Sequence, residues 1–155
     1  MAYVTSAGVP APTPGGCIFC NALEGPDDRR TLLLRRGLKA CLLLNRYPYA
    51  SGHVMAAMNR HVASLEETTP EEIGQAMELV KAAVRALGRA YAPDGFNIGV
   101  NQGRAAGAGV PGHLPIHVVP RWSGDVNFMP IVGDTRVLPE SLGTTYDRLL
   151  AALGS

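Results

Sequence analysis

Short apolar runs separated by turn residues open the ordered part of the chain. Residues 31–35 and 39–44 have the length and composition of strands, and Gly37 between them predicts a hairpin. A turn rich in tyrosine and proline follows at residues 45–52, and residues 53–57 are the next strand candidate. The first third of the chain is therefore expected to contribute three strands.

A long amphipathic helix is predicted next, after a short helical turn at residues 64–67. Thr69, Pro70 and Glu72 have the arrangement of a capping box, with proline at the first helical position. Apolar residues then recur at spacings of three or four, which indicates one buried stripe. They are Ile73, Met77, Val80, Val84, Leu87 and Tyr91. Residues 93–95 end the helix.

Two further strands and a second helix are expected in the C-terminal half. Residues 96–101 and 113–119 are strand candidates joined by a glycine-rich loop, and we expect them to lie side by side. Residues 121–137 are irregular with one or two short strands, and Pro139 opens a helix. Its apolar positions include Leu142, Tyr146, Leu149, Leu150 and Leu153.

The order of these elements defines the fold class. Strands, one long helix and then more strands indicate an α+β fold with a largely antiparallel sheet of about five strands and a C-terminal helix. Residues 1–16, rich in proline, alanine and glycine, are predicted to be a flexible tail. Residues 17–155 are predicted to form a single domain.

Composition narrows the class of protein. Of the 155 residues, 46% are hydrophobic and 17% are charged, which is typical of a globular chain. The net charge of +1 is too small for a general nucleic-acid binder. No apolar run approaches the roughly 18 residues of a membrane span, and residues 1–16 lack the regions of a signal peptide. We therefore expect a cytoplasmic protein whose partners are neither nucleic acid nor membrane.

Four histidines and three cysteines are the candidate chemical groups. Three cysteines cannot form a complete disulfide framework, so reduced thiols or metal ligation are expected. Cys41 lies in a continuous apolar strand and is assigned to the core. His53 and His61 flank the third strand, whereas His113 and His117 lie on the penultimate one.

Side chains alternate along the strand predicted at residues 113–119. Three apolar side chains suit a core on one face, and two histidines with a proline between them occupy the other. These are Leu114, Ile116 and Val118 on the first face, and His113, Pro115 and His117 on the second.

Residues 112–122, Gly-His-Leu-Pro-Ile-His-Val-Val-Pro-Arg-Trp, resemble the signature of the histidine triad (HIT) superfamily, in which three histidines alternate with apolar residues. The resemblance extends to residues 17–20, 44–53, 59–61, 95–97 and 124–128, and so spans about residues 17–140. The ordered set is similar to the branch that splits diadenosine polyphosphates. It implies a HIT-like fold and a nucleotide ligand.

The resemblance breaks at Pro115. In the family, the middle histidine attacks the α-phosphate of a nucleotide, and water or phosphate cleaves the resulting nucleotidyl-histidine. Proline has no nucleophilic nitrogen and no general base. His113 and His117 do not replace it, because two residues along a strand are ~6–7 Å apart and near-attack geometry tolerates about 1 Å. We expect Pro115 at a bulge, at a sheet edge, or with its amide position unpaired.

The resemblance also implies a structural zinc site. The residues similar to the family's zinc ligands are Cys17, Cys20, His61 and His113. Two thiolates and two imidazoles suit the tetrahedral preference of Zn²⁺. One alternative is that Cys17 and Cys20 are free thiols in a loose segment. Another is that they form a redox pair, but the βαβ pattern that usually surrounds such a pair is lacking.

A nucleotide site is implied as well. Asn45 is similar to the family residue that binds the ribose hydroxyls, and a turn residue at a strand end is an equally good interpretation. Asn101 and the backbone amides of residues 107–109 resemble the phosphate-cradling segment. Many relatives place a hydroxyl or amide side chain just before the triad, where this chain has Ala108, Gly109 and Val110. We therefore expect phosphate contact mainly through the backbone of this loop.

Three more residues are predicted to border the nucleotide. His117 would hydrogen-bond a phosphate oxygen or, alternatively, a neighbouring backbone group. Trp122 would stack near the ligand or cover the edge of the core. His53 would support the site by orienting its neighbours.

Three functions are therefore open. We favour a purine-nucleotide-binding HIT protein whose nucleotidyl transfer is severely impaired by Pro115. The alternatives are an active nucleotide hydrolase or phosphorylase that uses another residue, and a zinc-stabilised dimeric scaffold. The resemblance suggests a homodimer built across the long helix and an adjoining strand.

Overall fold

The computed structural model of the chain describes residues 16–126 and 140–154. Outside these residues lie most of the predicted tail 1–16, most of the irregular segment 121–137, the end of the 124–128 motif, and Pro139.

The described residues contain four α-helices and five strands; the strands and the two longer helices follow the predicted order, whereas the two short helices before β1 are not predicted by the sequence pattern. The helices are α1 (Ile18–Glu24), α2 (Asp28–Thr31), α3 (Pro70–Tyr91) and α4 (Leu142–Gly154). The strands are β1 (Leu33–Arg36), β2 (Ala40–Leu44), β3 (Val54–Met58), β4 (Gly95–Gly99) and β5 (Pro115–Arg121). A 3₁₀ turn at Leu65–Glu67 confirms the predicted helical turn. None of the described helices has the length and apolar character that crossing a bilayer requires.

The five strands form one antiparallel sheet in the order β1-β2-β3-β5-β4. This confirms the predicted α+β class, the β1–β2 hairpin and the pairing of the two strands that flank the glycine-rich loop. The observed strand bounds differ from the predicted ones by one or two residues. β5 is therefore an inner strand, between β3 and the edge strand β4.

Each face of the sheet carries an apolar layer. The larger core lies between the sheet and helices α3 and α4, and contains Leu42, Ala56 and Leu149. A smaller core lies on the opposite face, beneath α1. Its members are Phe19, Ala22, Leu33, Cys41, Leu43, Met55 and Ala57. We call these the α3 face and the α1 face.

The N-terminus of α3 has the predicted capping box. The hydroxyl of Thr69 accepts from the backbone N–H of Glu72 at 3.2 Å, and the Glu72 carboxylate accepts from the N–H of Thr69 at 2.8 Å. Two of the four unpaired amides at a helix start are thereby satisfied. The cap fixes where α3 begins, directly after the loop that carries His61.

The predicted stripe of α3 is partly wrong. Val80 and Leu87 are buried as expected, but Met77 is 40% exposed. The buried apolar residues of the helix are Ala76, Leu79, Val80, Ala83, Ala86 and Leu87. Alanine side chains let the helix backbone pack close to the sheet, and this turns the larger side chain of Met77 away from it.

Candidate functional site

Pro115 and His117 lie on one face of β5, and His113, two residues before the strand begins, contacts Phe19 in the apolar layer of the α1 face. Pro115 is paired with Ala57, and His117 with Met55, and both partners belong to the apolar layer of the α1 face. The alternate residues lie in the core of the α3 face, namely Leu114, Ile116 and Val118. The alternation read from the sequence is therefore confirmed.

Pro115 is buried and is the first residue of β5. β3 flanks it on one side, whereas β4 ends at Gly99, opposite His117. A proline is tolerated at the start of a strand because the ladder does not yet need its missing N–H. Pro115 therefore lies on an inner strand and not on an edge strand, but at the first residue of that strand, where only β3 flanks it.

His53 and His117 form a directed hydrogen-bond chain. The backbone N–H of Tyr49 donates to Nδ1 of His53 at 3.1 Å, so a neutral His53 carries its proton on Nε2. That Nε2 lies 2.9 Å from Nδ1 of His117 and donates to it. His117 then carries its own proton on Nε2. The chain thus fixes both tautomers and leaves His117 with an N–H donor.

Burial keeps this pair uncharged. His53 is fully buried, and burial together with the neighbouring His117 lowers its pKa to about 3. Burial also lowers the pKa of His117 from its ordinary value of 6.5. At neutral pH the two rings are therefore hydrogen-bonding groups and carry no charge that would attract an anion.

Asn45 and Tyr49 border the pair. The amide nitrogen of Asn45 lies 3.3–3.4 Å from both ring nitrogens of His53, so the predicted ribose-binding residue lies beside the histidines. The ring of Tyr49 lies 4.5 Å from that of His53 and, nearly parallel, 6.3 Å from that of His117. The sequence identified the aromatic turn but gave Tyr49 no role, because only the fold places it against the histidines.

The glycine-rich loop before β5 makes tight turns. Gly103 and Gly107 have φ of +84° and +85°, a region that favours glycine. The amide of Gly107 donates to the carbonyl of Arg104, and that of Ala108 to the carbonyl of Gly103. The amide of Gly109 has no hydrogen-bond partner among the described residues. Of the three backbone amides predicted to bind phosphate, at residues 107–109, only that of Gly109 is therefore available to donate to a phosphate in this conformation.

Two other predicted residues lie in different surroundings. Asn101 is half-buried at the start of this loop, two residues beyond β4. Trp122 is half-buried just beyond the end of β5, five residues from His117, which is about 16 Å along a strand. The fold does not bring Trp122 to His117 within one chain, so its stacking role stays a prediction.

The four predicted metal ligands form one cluster. The ligand atoms of Cys17, Cys20, His61 and His113 all lie within 4.8 Å of one another. The Cys17 sulfur lies 3.2 Å from Nδ1 of His113, and the Cys20 sulfur lies 3.4 Å from Nδ1 of His61. Ligands around a tetrahedral Zn²⁺ are separated by roughly 3.3–3.8 Å, given Zn–S and Zn–N bonds of about 2.3 and 2.0 Å. These residues can hold a metal ion.

The surroundings of His113 favour metal ligation. Its Nε2 lies 2.8 Å from the backbone carbonyl of Met58 and donates to it, which leaves the Nδ1 lone pair facing the two sulfurs. A metal-bound histidine usually donates its second ring N–H in this way. The ring also packs on Phe19, at a centroid distance of 5.0 Å. The cluster therefore links α1 to the residues directly before β5.

The three thiols have different environments. Burial and the neighbouring Cys17 raise the pKa of Cys20 from 9.0, so the metal-free Cys20 is a thiol at neutral pH and must release its proton to bind a metal. Cys41 is fully buried, and burial raises its pKa to about 11. This confirms Cys41 as a core residue, outside the cluster.

Comparison with known proteins identifies the family. Residues 33–124 match the HIT domain. The chain therefore belongs to the HIT family, as the resemblance of residues 112–122 implied.

Individual relatives agree with this assignment. The chain is 42% identical over 125 residues to a Mycobacterium tuberculosis protein named AP-4-A phosphorylase, a match that covers 81% of this chain and 64% of the relative. It thus spans less than two thirds of that relative's length. A crystal structure of a zinc-bound histidine triad family protein from Mycobacterium smegmatis matches with a TM-score of 0.70 and 25% identity, covering 89% of this chain and 93% of the other.

Proposed function

We propose that this chain binds purine nucleotides or dinucleoside polyphosphates and is severely impaired in nucleotidyl transfer. The observation that supports the proposal is that Pro115 occupies the position of the family's nucleophilic histidine, while His53 and His117 form an intact hydrogen-bonded pair beside it. The similarity to AP-4-A phosphorylase supports the ligand class. The cytoplasmic location expected from the sequence stays a prediction.

The chemistry around Pro115 supports impairment. Nucleotidyl transfer in this family needs a nitrogen that attacks the α-phosphorus, forming a P–N bond as the bond to the leaving phosphate breaks. Proline within a chain has no such nitrogen. His113 directs Nδ1 at the cysteine sulfurs and Nε2 at a carbonyl, so both of its nitrogens are engaged.

His117 retains a binding role. Its Nδ1 accepts from His53, and its Nε2–H is left to donate to a phosphate oxygen. A nucleotide held by this donor, by the Gly109 amide and by Asn45 would have phosphate and ribose contacts but no nucleophile. We therefore propose that the chain retains the nucleotide-binding groups of the family but not its nucleophile.

We further propose that the cysteine–histidine cluster binds Zn²⁺. The ligands would be Cys17, Cys20, His61 and His113, and the distances among them fit a tetrahedral ion. A closed four-ligand site supplies stability and no open coordination position, so the ion would fasten α1 to the sheet. Elemental analysis that finds less than about a tenth of an equivalent of zinc would contradict this, because such a site holds zinc tightly.

A homodimer is the oligomeric state we propose. Among the described residues, β4 pairs only with β5 and leaves one edge open. Ile98 on this strand is 48% exposed, and Met77 on α3 is 40% exposed. An open edge and exposed apolar side chains are features that a second copy would cover. Sedimentation of an Ile98→Lys variant as a monomer, with the parent sedimenting as a dimer, is the expected result.

The experiment that tests the function compares three proteins: the parent, Pro115→His and Pro115→Ala. Binding of ATP and diadenosine tetraphosphate is measured by calorimetry, and release of mononucleotide is measured with and without phosphate. The parent is expected to bind but to turn over far more slowly than about 1 per second, the low end of ordinary enzymes. Pro115→His is expected to gain activity, and Pro115→Ala is not.

Two outcomes would contradict the proposal. Turnover near 1 per second by the parent would show that another residue supplies the nucleophile. Failure of every variant to bind nucleotide, with the zinc retained, would favour the scaffold function.

A further inference from the structure

The guanidinium of Arg36, on β1, closes the C-terminal end of α1. Its Nη1 donates to the carbonyl of Leu23 at 2.7 Å, and its Nη2 donates to the carbonyls of Ala22 and Gly25 at 3.3 and 3.1 Å. Asp28 holds the same guanidinium, with Nη2 and Oδ1 2.6 Å apart. The contacts satisfy carbonyls that a helix end leaves unpaired and place a positive charge against the helix dipole.

α1 depends on such outside support. It has seven residues, fewer than the roughly 12–15 that an isolated helix needs to be even marginally stable. Its N-cap, Cys17, makes no side-chain capping hydrogen bond, and its last turn contains no basic residue. Glu24 places a negative charge at the end that prefers a positive one. Arg36, on β1, supplies the positive charge and the hydrogen-bond donors that the sequence of α1 does not provide at its C-terminal end.

A β-bulge aims Arg36 at α1. The β1–β2 register shifts between Leu33 and Arg35, so that Arg36 is paired with Cys41, whose side chain lies on the α1 face. In a regular strand Arg36 would share the face of Leu34, which belongs to the core of the α3 face. Bulges commonly re-aim a side chain in this way.

The cysteines lie one turn from this contact. Cys20 precedes Leu23 by three residues on α1, and Cys17 is the N-cap. A ligand constellation must be held within about 0.5 Å of its working geometry, so a shift of so short a helix would displace both sulfurs from His61 and His113. The position of α1 thus controls half of the ligand set.

We propose that Arg36 is a positioning residue for the metal site. It touches no metal ligand, and it holds α1 so that Cys17 and Cys20 meet the two histidines. The inference rests on the proposed metal site. Replacement of the Arg36 guanidinium is expected to lower the affinity for metal although all four metal ligands remain.

The test compares Arg36→Lys with Arg35→Lys in the full chain. Arg35 is the adjacent residue on β1, and its Nη2 donates to the carbonyl of Leu153 in α4, at 2.6 Å, so it is a matched control at a different helix. Lysine keeps the charge but lacks the planar fork that reaches several carbonyls. Co²⁺ affinity is measured by chelator competition, with the ligand-field absorption of the bound ion as readout. Arg36→Lys is expected to bind Co²⁺ at least about 10-fold more weakly than the parent, and Arg35→Lys within about twofold of it.

A second measurement guards against general unfolding. Hydrogen exchange in the metal-free proteins is expected to be faster for the α1 amides in Arg36→Lys, with the α4 amides unchanged. Asp28→Asn, which leaves Arg36 in place but removes its carboxylate partner, is expected to weaken Co²⁺ binding less than Arg36→Lys.

Three results would overturn the inference. Parent-like affinity in Arg36→Lys would do so, and so would equal losses in Arg36→Lys and Arg35→Lys. A parent that takes up no Co²⁺ would refute the metal site itself, and the role of Arg36 with it.

Discussion

The Nε2 atom of His53 lies 2.9 Å from the Nδ1 atom of His117, and the backbone N–H of Tyr49 fixes the direction of this hydrogen bond. Burial lowers the pKa of both rings, so folding favours the uncharged form of each. In the unfolded chain each ring regains its ordinary pKa of 6.5. Folding is therefore linked to proton release at this site.

Acid is expected to destabilise the protein through His53. Its folded pKa of about 3 is below its unfolded value of 6.5, so between these values the unfolded state binds one more proton. The contribution is fully favourable to folding above pH 6.5 and is lost progressively as the pH falls toward 3, by about 1.4 kcal/mol for each pH unit and proton. Urea unfolding measured across this range should give a shallower pH dependence in His53→Gln than in the parent. Parallel curves for the two proteins would contradict the assignment.

The metal ion proposed for the cysteine–histidine cluster is expected to raise the thermal stability of the protein. A bound ion stabilises the folded state by about 4 kcal/mol when its free concentration is 1,000 times its dissociation constant. A chelator should therefore lower the Tm of the parent and leave that of Cys20→Ser unchanged. Cys41→Ser is the control, because it alters a thiol outside the cluster and should keep the response to chelator. A chelator effect of equal size in Cys20→Ser would contradict the assignment.

The sheet could be predicted because its signals are local. Alternation along β5 requires only that neighbouring residues face opposite sides, and Gly37 marks the β1–β2 hairpin directly. The capping box of α3 is likewise contained within Thr69–Glu72. Patterns of this kind do not depend on which elements later pack together.

Other features depend on packing between distant parts of the chain. The buried side of α3 is decided by how closely Ala76 and Ala83 approach the sheet, which periodicity among larger residues does not reveal. Tyr49 gains its place at the site only when the turn after β2 folds over the histidines. Arg36 reaches α1 only because of a bulge, and no spacing in the sequence marks that bulge.

The ion pair of Glu72 with Arg60 is expected to make α3 sensitive to acid. Both nitrogens of the Arg60 fork lie 2.9 Å from the Glu72 carboxylate, and this contact, together with the Thr69 N–H, lowers the pKa of Glu72 to about 2. Because this value is below the ordinary 4.5, the stabilisation is complete above pH 4.5 and is lost as the pH falls toward 2. Glu72→Gln should be less stable than the parent by about 1–2 kcal/mol at neutral pH. That difference should shrink below pH 4.5. Glu71→Gln is the matched control, because it removes an exposed carboxylate from the same turn and keeps the Arg60–Glu72 contact; at neutral pH it should change the stability by less than about 0.5 kcal/mol.

Gly52, which directly precedes His53, is expected to tolerate no side chain. Its φ is +84°, and a Cβ built on it would lie 2.7 Å from Cδ2 of Leu87 on α3. Gly52→Ala should therefore destabilise the protein by about 2–4 kcal/mol, from backbone strain and overpacking together. Gly88→Ala on α3 is the matched control, because a Cβ there meets nothing within 4 Å. It should instead stabilise the helix by about 0.5–1 kcal/mol. Denaturant unfolding of both variants measures the two changes, and a neutral Gly52→Ala would show that the turn before His53 can move away from α3.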